Sequence, residues 1–407
     1  MTFSILLPTR NRLEYLRDAV ETVRRQDYAD WELIVADNFS VDDVAGFTRS
    51  LDDPRVKYLR SEEALPVTEN WNRALEASSG DYVLMLGDDD GLMPGYFRKV
   101  EQLVAEFGEP DVIYSPALLL AYPGVIPGHE AGYIHRMGCA TFFDGLDEPR
   151  LLEPALRREL VRASMDLRLR FDFNMQLFTI SRSAIQALSR GGRFFHSPFP
   201  DYYAANLLFL RSNRIVVYPD PLAVVGITPK SYGFFHFNKR EREGIEFLQN
   251  MSGERNRDLE RVILPGNRMN TCWLLAMETL ADLDDTPGLA PARGRYRLLQ
   301  AADALRRRVI LGSMPKSESR ELFRALRTWE QAAYGAAAAV LFVLTRPGRF
   351  RARILTALDR GLGQYPQSVP WQRTGKYRSL LELFEQGDAQ LDTEEGAELR
   401  SSRDAGP

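Results

Sequence analysis

The chain has 407 residues, 44% of them hydrophobic and 27% charged, with a formal net charge of -4. That length allows two or three domains, and the composition is ordinary for a globular protein. The slightly acidic balance gives no sign of the basic excess that a nucleic-acid partner would require. The two cysteines, Cys139 and Cys272, lie far apart with no metal-ligand spacing, which disfavours a disulfide framework and points to a reducing compartment.

The opening "TFSILLPTRNR" has no basic stretch leading into a long apolar run and a small-residue cleavage site. A secretory signal is therefore not expected, and a cytoplasmic location is. No run of about 18 or more apolar residues occurs, so no spanning helix is expected.

Residues 1 to 120 alternate between strand-like runs and helical patterns. "FSILLP" reads as a buried strand. Asn11 can cap the following helix, with Glu14 completing a capping box. "WELIVAD" is the second strand, and Ser40 or Asp43 can open a short helix after it. "VKYLR" is the third strand, "TENWNRALEAS" a helix, "DYVLML" the fourth strand. Pro94 suits the first turn of the next helix, and "DVIYSPALL" reads as one fifth strand. Such alternation implies a mainly parallel α/β sheet flanked by helices. Ligands of these sheets bind at the carboxyl ends of the strands, where strand order reverses.

Residues 121 to 150 read as an irregular excursion. Beyond them "MQLFTISRSAIQALS" is a strand and a helix, "FHSPFPDYYAANLLFL" a loop into a helix, and "RIVVYPDPLAVVGI" a strand broken by a turn. The chain becomes helical from about 240. The expected organisation is 1–240, divided at 120, a helical region at 241–380, and a flexible acidic tail at 381–407. "AAYGAAAAVLFVL", residues 332 to 344, is favoured as a buried helix. The alternative is an interfacial helix resting on an anionic membrane through its basic flank, which would place the protein at the inner face of the membrane.

The chemistry is concentrated in "YVLMLGDDDGLMPG", residues 82 to 95. One aspartate would suffice to complement the helix that follows. Three side by side repel one another unless a cation neutralises them, and a hard divalent ion on one or two carboxylates plus substrate phosphates does so.

This stretch resembles the aspartate motif of family 2 glycosyltransferases, which have the GT-A nucleotide-binding fold. "SILLPTRNR", "ELIVADNFSVDD", "NWNRALEASSGDYVLMLGDDDGLMPG" and "FPDYYAANLLF" follow the family's order over residues 3 to 235. The resemblance implies that Pro8, Thr9 and Arg12 lie beside the nucleoside and that Asp37 accepts a hydrogen bond from the base. It implies that Asp88 and Asp89 hold the ribose and a Mn²⁺ or Mg²⁺ ion, with Asp89 favoured as the metal ligand. It also implies that Asp90 orients the loop or the sugar and that Asp201 is the general base, while the local pattern at Asp201 allows a helix N-cap as well. The family's commonest form has an aspartate where Gly87 stands, which leaves the choice between Asp88 and Asp89 open. The signature of processive members after the base is absent, arguing for addition of a single sugar.

Three further wagers rest on local pattern. Lys230 and Ser231 in "GITPKSYGFFHF" can hold a diphosphate, and His236 is a candidate metal ligand or a surface histidine. Asn70 and Asn72 are unusual inside a helix, so at least one is expected to face the site. The implied reaction is inverting, metal-dependent transfer of one sugar from a nucleotide-diphosphate sugar to a saccharide or glycoconjugate hydroxyl, lipid-linked acceptors included, in bacterial polysaccharide synthesis. A sugar nucleotidyltransferase and an inactive sugar-binding scaffold stand as alternatives. The first should carry a Gly-rich loop after the first strand, which "LLPTRNRLEYL" lacks. The helical C-terminal part can shape an acceptor site, join subunits in a homo-oligomer, or contact a membrane.

Overall fold

A computed structural model describes residues 1–125, 132–137, 141–143, 145–231, 234, 262–266, 268–346, 350–363 and 377–390. Contacts divide the chain into two units. The first is Met1–Val161 with Phe171–Asn250 and Ser368–Pro407; the second is Arg162–Arg170 with Met251–Gln367.

The first unit is built on an eight-stranded sheet in the order β3-β2-β1-β4-β10-β6-β11-β9. These strands are β1 (Phe3–Thr9), β2 (Trp31–Asp37), β3 (Val56–Arg60), β4 (Tyr82–Met85), β6 (Val112–Tyr114), β9 (Arg150–Leu151), β10 (Phe178–Ser181) and β11 (Ile215–Val217). Only β9 and β10 run against the rest, so the sheet is mainly parallel as expected. Helices α1 (Leu13–Arg24), α2 (Val44–Ser50), α3 (Val67–Glu76) and α4 (Tyr96–Phe107) make the crossovers. Phe3, Ile5 and Leu7 of β1 and Leu33 and Val35 of β2 join Leu16, Val20 and Val23 of α1 and Phe97 and Val100 of α4 in one core. These are the apolar positions that period-two strands and period-3.6 helices bring to facing surfaces.

The strand order reverses between β1 and β4. The chain steps outward from β1 to β2 to β3, then returns to pair β4 with the free side of β1, Phe3 opposite Tyr82 and Leu6 opposite Met85. The loops leaving β1 and β4 therefore meet at the carboxyl edge, which is where such sheets bind ligands.

Several local expectations are corrected. "DVIYSPALL" is two strands in two sheets. Pro116 has no N–H to give a ladder, and beyond it β7 (Ala117–Ala121) enters a second, four-stranded sheet. That sheet has the order β5-β12-β7-β8, with β5 (Gly91–Leu92), β8 (Tyr133–Met137) and β12 (Ala223–Ile227). The excursion after residue 121 thus contains a regular strand, β8, antiparallel to β7. The capping box at Asn11 does not form. Asn11 takes φ 57°, its Oδ1 accepts from the Val41 N–H, and the Leu13 N–H is capped by Asp42 from the next loop. The expected α2 cap does form, Asp43 accepting from the Gly46 N–H.

The segment expected to be a flexible tail begins as a helix, Leu380–Gln390. Leu380 and Leu383, spaced one turn apart among the acids, are buried in the first unit's core. Leu380 lies against Gly91, where a β-carbon would come within 2.7 Å of its Cδ1. The Tyr122 hydroxyl accepts the Leu380 N–H at 3.3 Å.

In the second unit, helices Arg268–Leu283, Arg293–Leu305, Lys316–Ala325, Thr328–Thr345 and Arg351–Leu362 follow one another. Trp273, Leu274, Met277 and Tyr296 are buried there. Thr328–Thr345 is not the buried helix that its apolar sequence favoured: Val340 is 57% exposed, Phe342 56%, Val343 65% and Trp329 67%. No described helix is long and apolar enough to cross a membrane.

Candidate active site

The switch point gathers four of the candidate residues. Thr9 ends β1, and the backbone then turns so that Arg12 points back over the edge of the sheet. Asp88 and Asp89 follow β4. The Thr9 hydroxyl donates to Asp88 Oδ2 at 2.7 Å. Arg12 Nη1 lies 2.6 Å from Asp88 Oδ1 and 3.3 Å from Asp89 Oδ1. The Thr228 hydroxyl, just beyond β12, donates to the other oxygen of Asp89 at 3.1 Å. All three aspartates of the run are buried.

The electrostatics follow from burial and mutual repulsion. Burial pushes the Asp88 carboxyl above its ordinary value, with the Arg12 charge pulling it back and Asp89 adding to the rise. Burial works against the Arg12 charge, but Asp88 and Asp89 beside it hold the guanidinium above its usual range. Arg12 is therefore the built-in counter-charge of the run. Its Nε is buried with no hydrogen-bond partner.

Asp90 has a different task. Its Oδ1 accepts from the Gly226 N–H and its Oδ2 from the Gly87 N–H, each at 2.8 Å, and the Gln176 amide also donates to Oδ2. Burial and the charge of Asp89 push it up to about 8, against these three donors. These three bonds tie Asp90 to its own loop, to β12 and to Gln176. The same geometry accounts for Gly87: a β-carbon there would stand 2.4 Å from Asp90 Oδ2.

Gly226 is still more constrained, since a β-carbon would fall 1.8 Å from the Asp89 carbonyl oxygen. Gly226→Ala is expected to displace the Asp89 backbone and to destabilise the protein by about 1–3 kcal/mol, as overpacking does. Urea denaturation measures this; an unchanged midpoint would mean that β12 does not press on the aspartate loop.

The segment after β12 forms a strap. Ser231 donates to the Thr228 carbonyl at 2.8 Å and accepts from the Thr228 N–H. Lys230 Nζ reaches the Asn11 carbonyl at 3.0 Å and Glu14 at 3.1 Å. Lys230 is thereby placed beside the Arg12 turn, and Ser231 against Thr228. His236 lies outside the described residues.

Asp37 forms a second, separate cluster at the end of β2. Its Oδ2 accepts from the Tyr58 hydroxyl at 2.7 Å and Arg60 at 3.0 Å, and its Oδ1 from the Ser40 N–H at 2.8 Å. Pro8, one strand over, is opposite Ala36 in the register. Asn72 is committed elsewhere: its amide donates to the Phe195 carbonyl and accepts the Phe195 N–H. Asn70 donates to the Ala36 carbonyl, and Trp71 packs edge-on against Phe195.

Asp201 stands in the first turn of α7 (Pro200–Arg211), where Phe199 occupies the cap position. It is therefore not the helix cap. Its Oδ1 accepts the Tyr202 N–H at 2.7 Å. Burial pushes its carboxyl up to about 7, with that N–H and its own opposing the rise. It makes no hydrogen bond with the aspartate run. Segment 173–176 meets the neighbour of the one and a member of the other: Phe173 packs against the ring of Tyr202 at 5.0 Å, and Gln176 donates to Asp90.

Among the described residues, no group of three or more His, Cys, Asp or Glu is arranged to hold a metal ion. What the site offers is two carboxylate oxygens converging on one cationic nitrogen. That donor set fits Mg²⁺ or Mn²⁺ bound partly by substrate phosphates, not an ion caged by protein alone. Arg60 was marked in the sequence as a strand exit; Thr228, Gln176 and Tyr58 were not singled out. Thr228 lies within a stretch that was; the other two carry no signal that separates them from ordinary sheet and loop residues.

Residues 4–123 match the family described as Glycosyl transferase family 2. The Campylobacter jejuni GalNAc(5)-diNAcBac-PP-undecaprenol beta-1,3-glucosyltransferase is 36% identical over 106 residues, 25% of this chain and 34% of that protein. The Escherichia coli UDP-Glc:alpha-D-GlcNAc-diphosphoundecaprenol beta-1,3-glucosyltransferase WfgD is 33% identical over 87 residues, 21% of this chain and 34% of that one. The chain thus spans about a third of the length of these curated relatives. The solved structure of S. aureus TarS 1-349 in complex with UDP aligns with a TM-score of 0.42 at 15% identity, covering 95% of this chain and 92% of that one, a likeness too loose to argue from.

Proposed function

We propose, from the membership of residues 4–123 in glycosyl transferase family 2, that this chain moves one sugar from a nucleotide-diphosphate sugar to an acceptor hydroxyl with inversion. The observation that carries the reading is the convergence of Asp88 and Asp89 on Arg12 at the β1/β4 switch point. Two carboxylates and a buried cation at such an edge suit a metal-bound pyrophosphate better than they suit any structural need. Asp88 and Asp89 would hold Mn²⁺ or Mg²⁺, whose chemistry there is Lewis-acid neutralisation of the diphosphate leaving group. Arg12 and Lys230, at the edge of the same site, supply donors to the same phosphates.

Asp201 takes the proton of the acceptor hydroxyl. The hydroxyl oxygen bonds to the anomeric carbon as the bond to the diphosphate breaks on the opposite face. A carboxyl held near 7 suits this work, because a base is most effective when its pKa lies near the working pH. Asp37, with Tyr58 and Arg60, borders the nucleoside. The names of both relatives specify glucosyl transfer to undecaprenol-linked glycans, and by that likeness the acceptor is a lipid-linked saccharide in polysaccharide synthesis.

The test is hydrolysis of UDP-, GDP- and dTDP-sugars by the full chain with and without Mn²⁺. Release of nucleoside diphosphate from one donor, dependent on the ion, is expected. No release from any donor, with or without an acceptor glycan, would favour a non-catalytic scaffold.

A further inference from the structure

We infer that helix Thr328–Thr345 is a docking surface for a bilayer containing anionic lipids. Its inner side is fixed in place. Glu330 pairs with Arg297 at 2.7 Å, Gln331 donates to the Phe323 and Leu326 carbonyls, and Tyr334 and Thr345 are buried. Its outer face is formed by Trp329, Ala332, Ala333, Ala336, Val340 and Val343, all exposed and recurring at helical spacing. Leu344 and Phe342 widen this face at one end. A helix apolar on every side is ordinarily buried, and a contiguous apolar face left in water marks an interaction site. The helix is about 27 Å long, yet it does not qualify as a span.

Charge decides the occupant. Between residues 322 and 353 the chain carries one carboxylate, Glu330, and that one is turned to Arg297. Arg324 and Arg327 precede the helix; Arg346, Arg351 and Arg353 follow it, all exposed. Arg346 lies over the Phe342 ring at 5.2 Å. A second copy laid on this face would bring arginines against arginines in either direction, with no free acid between residues 322 and 353 to meet them, and like charges brought together oppose pairing. Anionic headgroups complement both ends at once, while the apolar face enters the acyl boundary. Trp329 at one end is the residue type suited to that boundary. This surface stands independently of the proposed reaction.

The experiment is co-sedimentation of the full chain with phosphatidylcholine vesicles with and without phosphatidylglycerol. Binding is expected to the anionic vesicles, to weaken as salt rises, and to fall at least about tenfold in a Val340→Asp/Val343→Asp variant. Both sites are exposed, and circular dichroism checks the variant's fold. Brominated lipids are expected to quench tryptophan fluorescence in the wild type and markedly less in Trp329→Phe. Equal binding of the double variant, or equal quenching in Trp329→Phe, would overturn the proposal. So would a dimer in light scattering that the double variant breaks into monomers, with no vesicle binding by either form.

Discussion

Asp201→Asn is expected to lower sugar transfer by about 10²–10⁴-fold, the contribution of a positioned base, while making the protein more stable at about pH 8. Both effects have one cause. Burial holds the Asp201 carboxyl near 7, well above the ordinary 3.8. The folded state therefore favours the neutral acid. Its stability is undiminished below the ordinary carboxyl pKa, declines as pH rises through the window from 3.8 to about 7, and has lost the full amount above it. The loss has an upper limit of about 4 kcal/mol, reduced by water reaching the half-buried side chain. Asparagine carries no charge and avoids it. Thermal melts at about pH 5 and pH 8 should show a larger gain for the variant at the higher pH. In the wild type, transfer should fall on the acid side with a midpoint near 7. A variant that keeps its activity, or a gain independent of pH, would remove Asp201 from the base role.

The second large effect separates neighbours within the aspartate run. Asp89→Asn should reduce transfer by more than about 100-fold, with a change in melting temperature of only a few degrees, because Asp89 meets Arg12 and Thr228 at the site edge and would hold the divalent ion that neutralises the leaving group. Asp90→Asn should do the reverse. Both Asp90 oxygens accept N–H groups from within the fold. An amide has only one acceptor oxygen, so a buried N–H loses its partner at a cost of about 1–3 kcal/mol. Steady-state kinetics paired with urea denaturation distinguishes the two. Equal loss of activity at similar stability would mean that Asp90 also touches substrate.

The parallel core was legible because its strands are continuous apolar runs and its helices keep a single period; β1, β2, β3 and β4 lie where the runs lie. The aspartate run was legible as the exit of β4 because the apolar run leads straight into it. What could not be read depends on long-range partners. Asn11 and Glu14 have the local pattern of a capping box, but Asp42, a neighbour only through the fold, takes the helix terminus. "DVIYSPALL" has the length of one strand, and only the second sheet shows that Pro116 is a junction. Three identical aspartates look alike in sequence, whereas Gly226 and Gln176 turn one of them inward. Asn72 looked site-facing because asparagine is rare inside a helix, and its partner is instead the Phe195 backbone. The apolar segment at 332–344 gave the right helix and the wrong environment, because composition reports what a face prefers and not whether a partner within the chain covers it.

The most direct test of the account is a calorimetric titration of UDP, GDP and dTDP into the wild type and Asp89→Asn, each with and without Mn²⁺. The account predicts that one nucleoside diphosphate binds the wild type with Mn²⁺ present and that binding is lost both without the ion and in the variant. Binding of equal strength in all four conditions, or none to the wild type, would contradict the claim that Asp88, Asp89 and Arg12 form a pyrophosphate site.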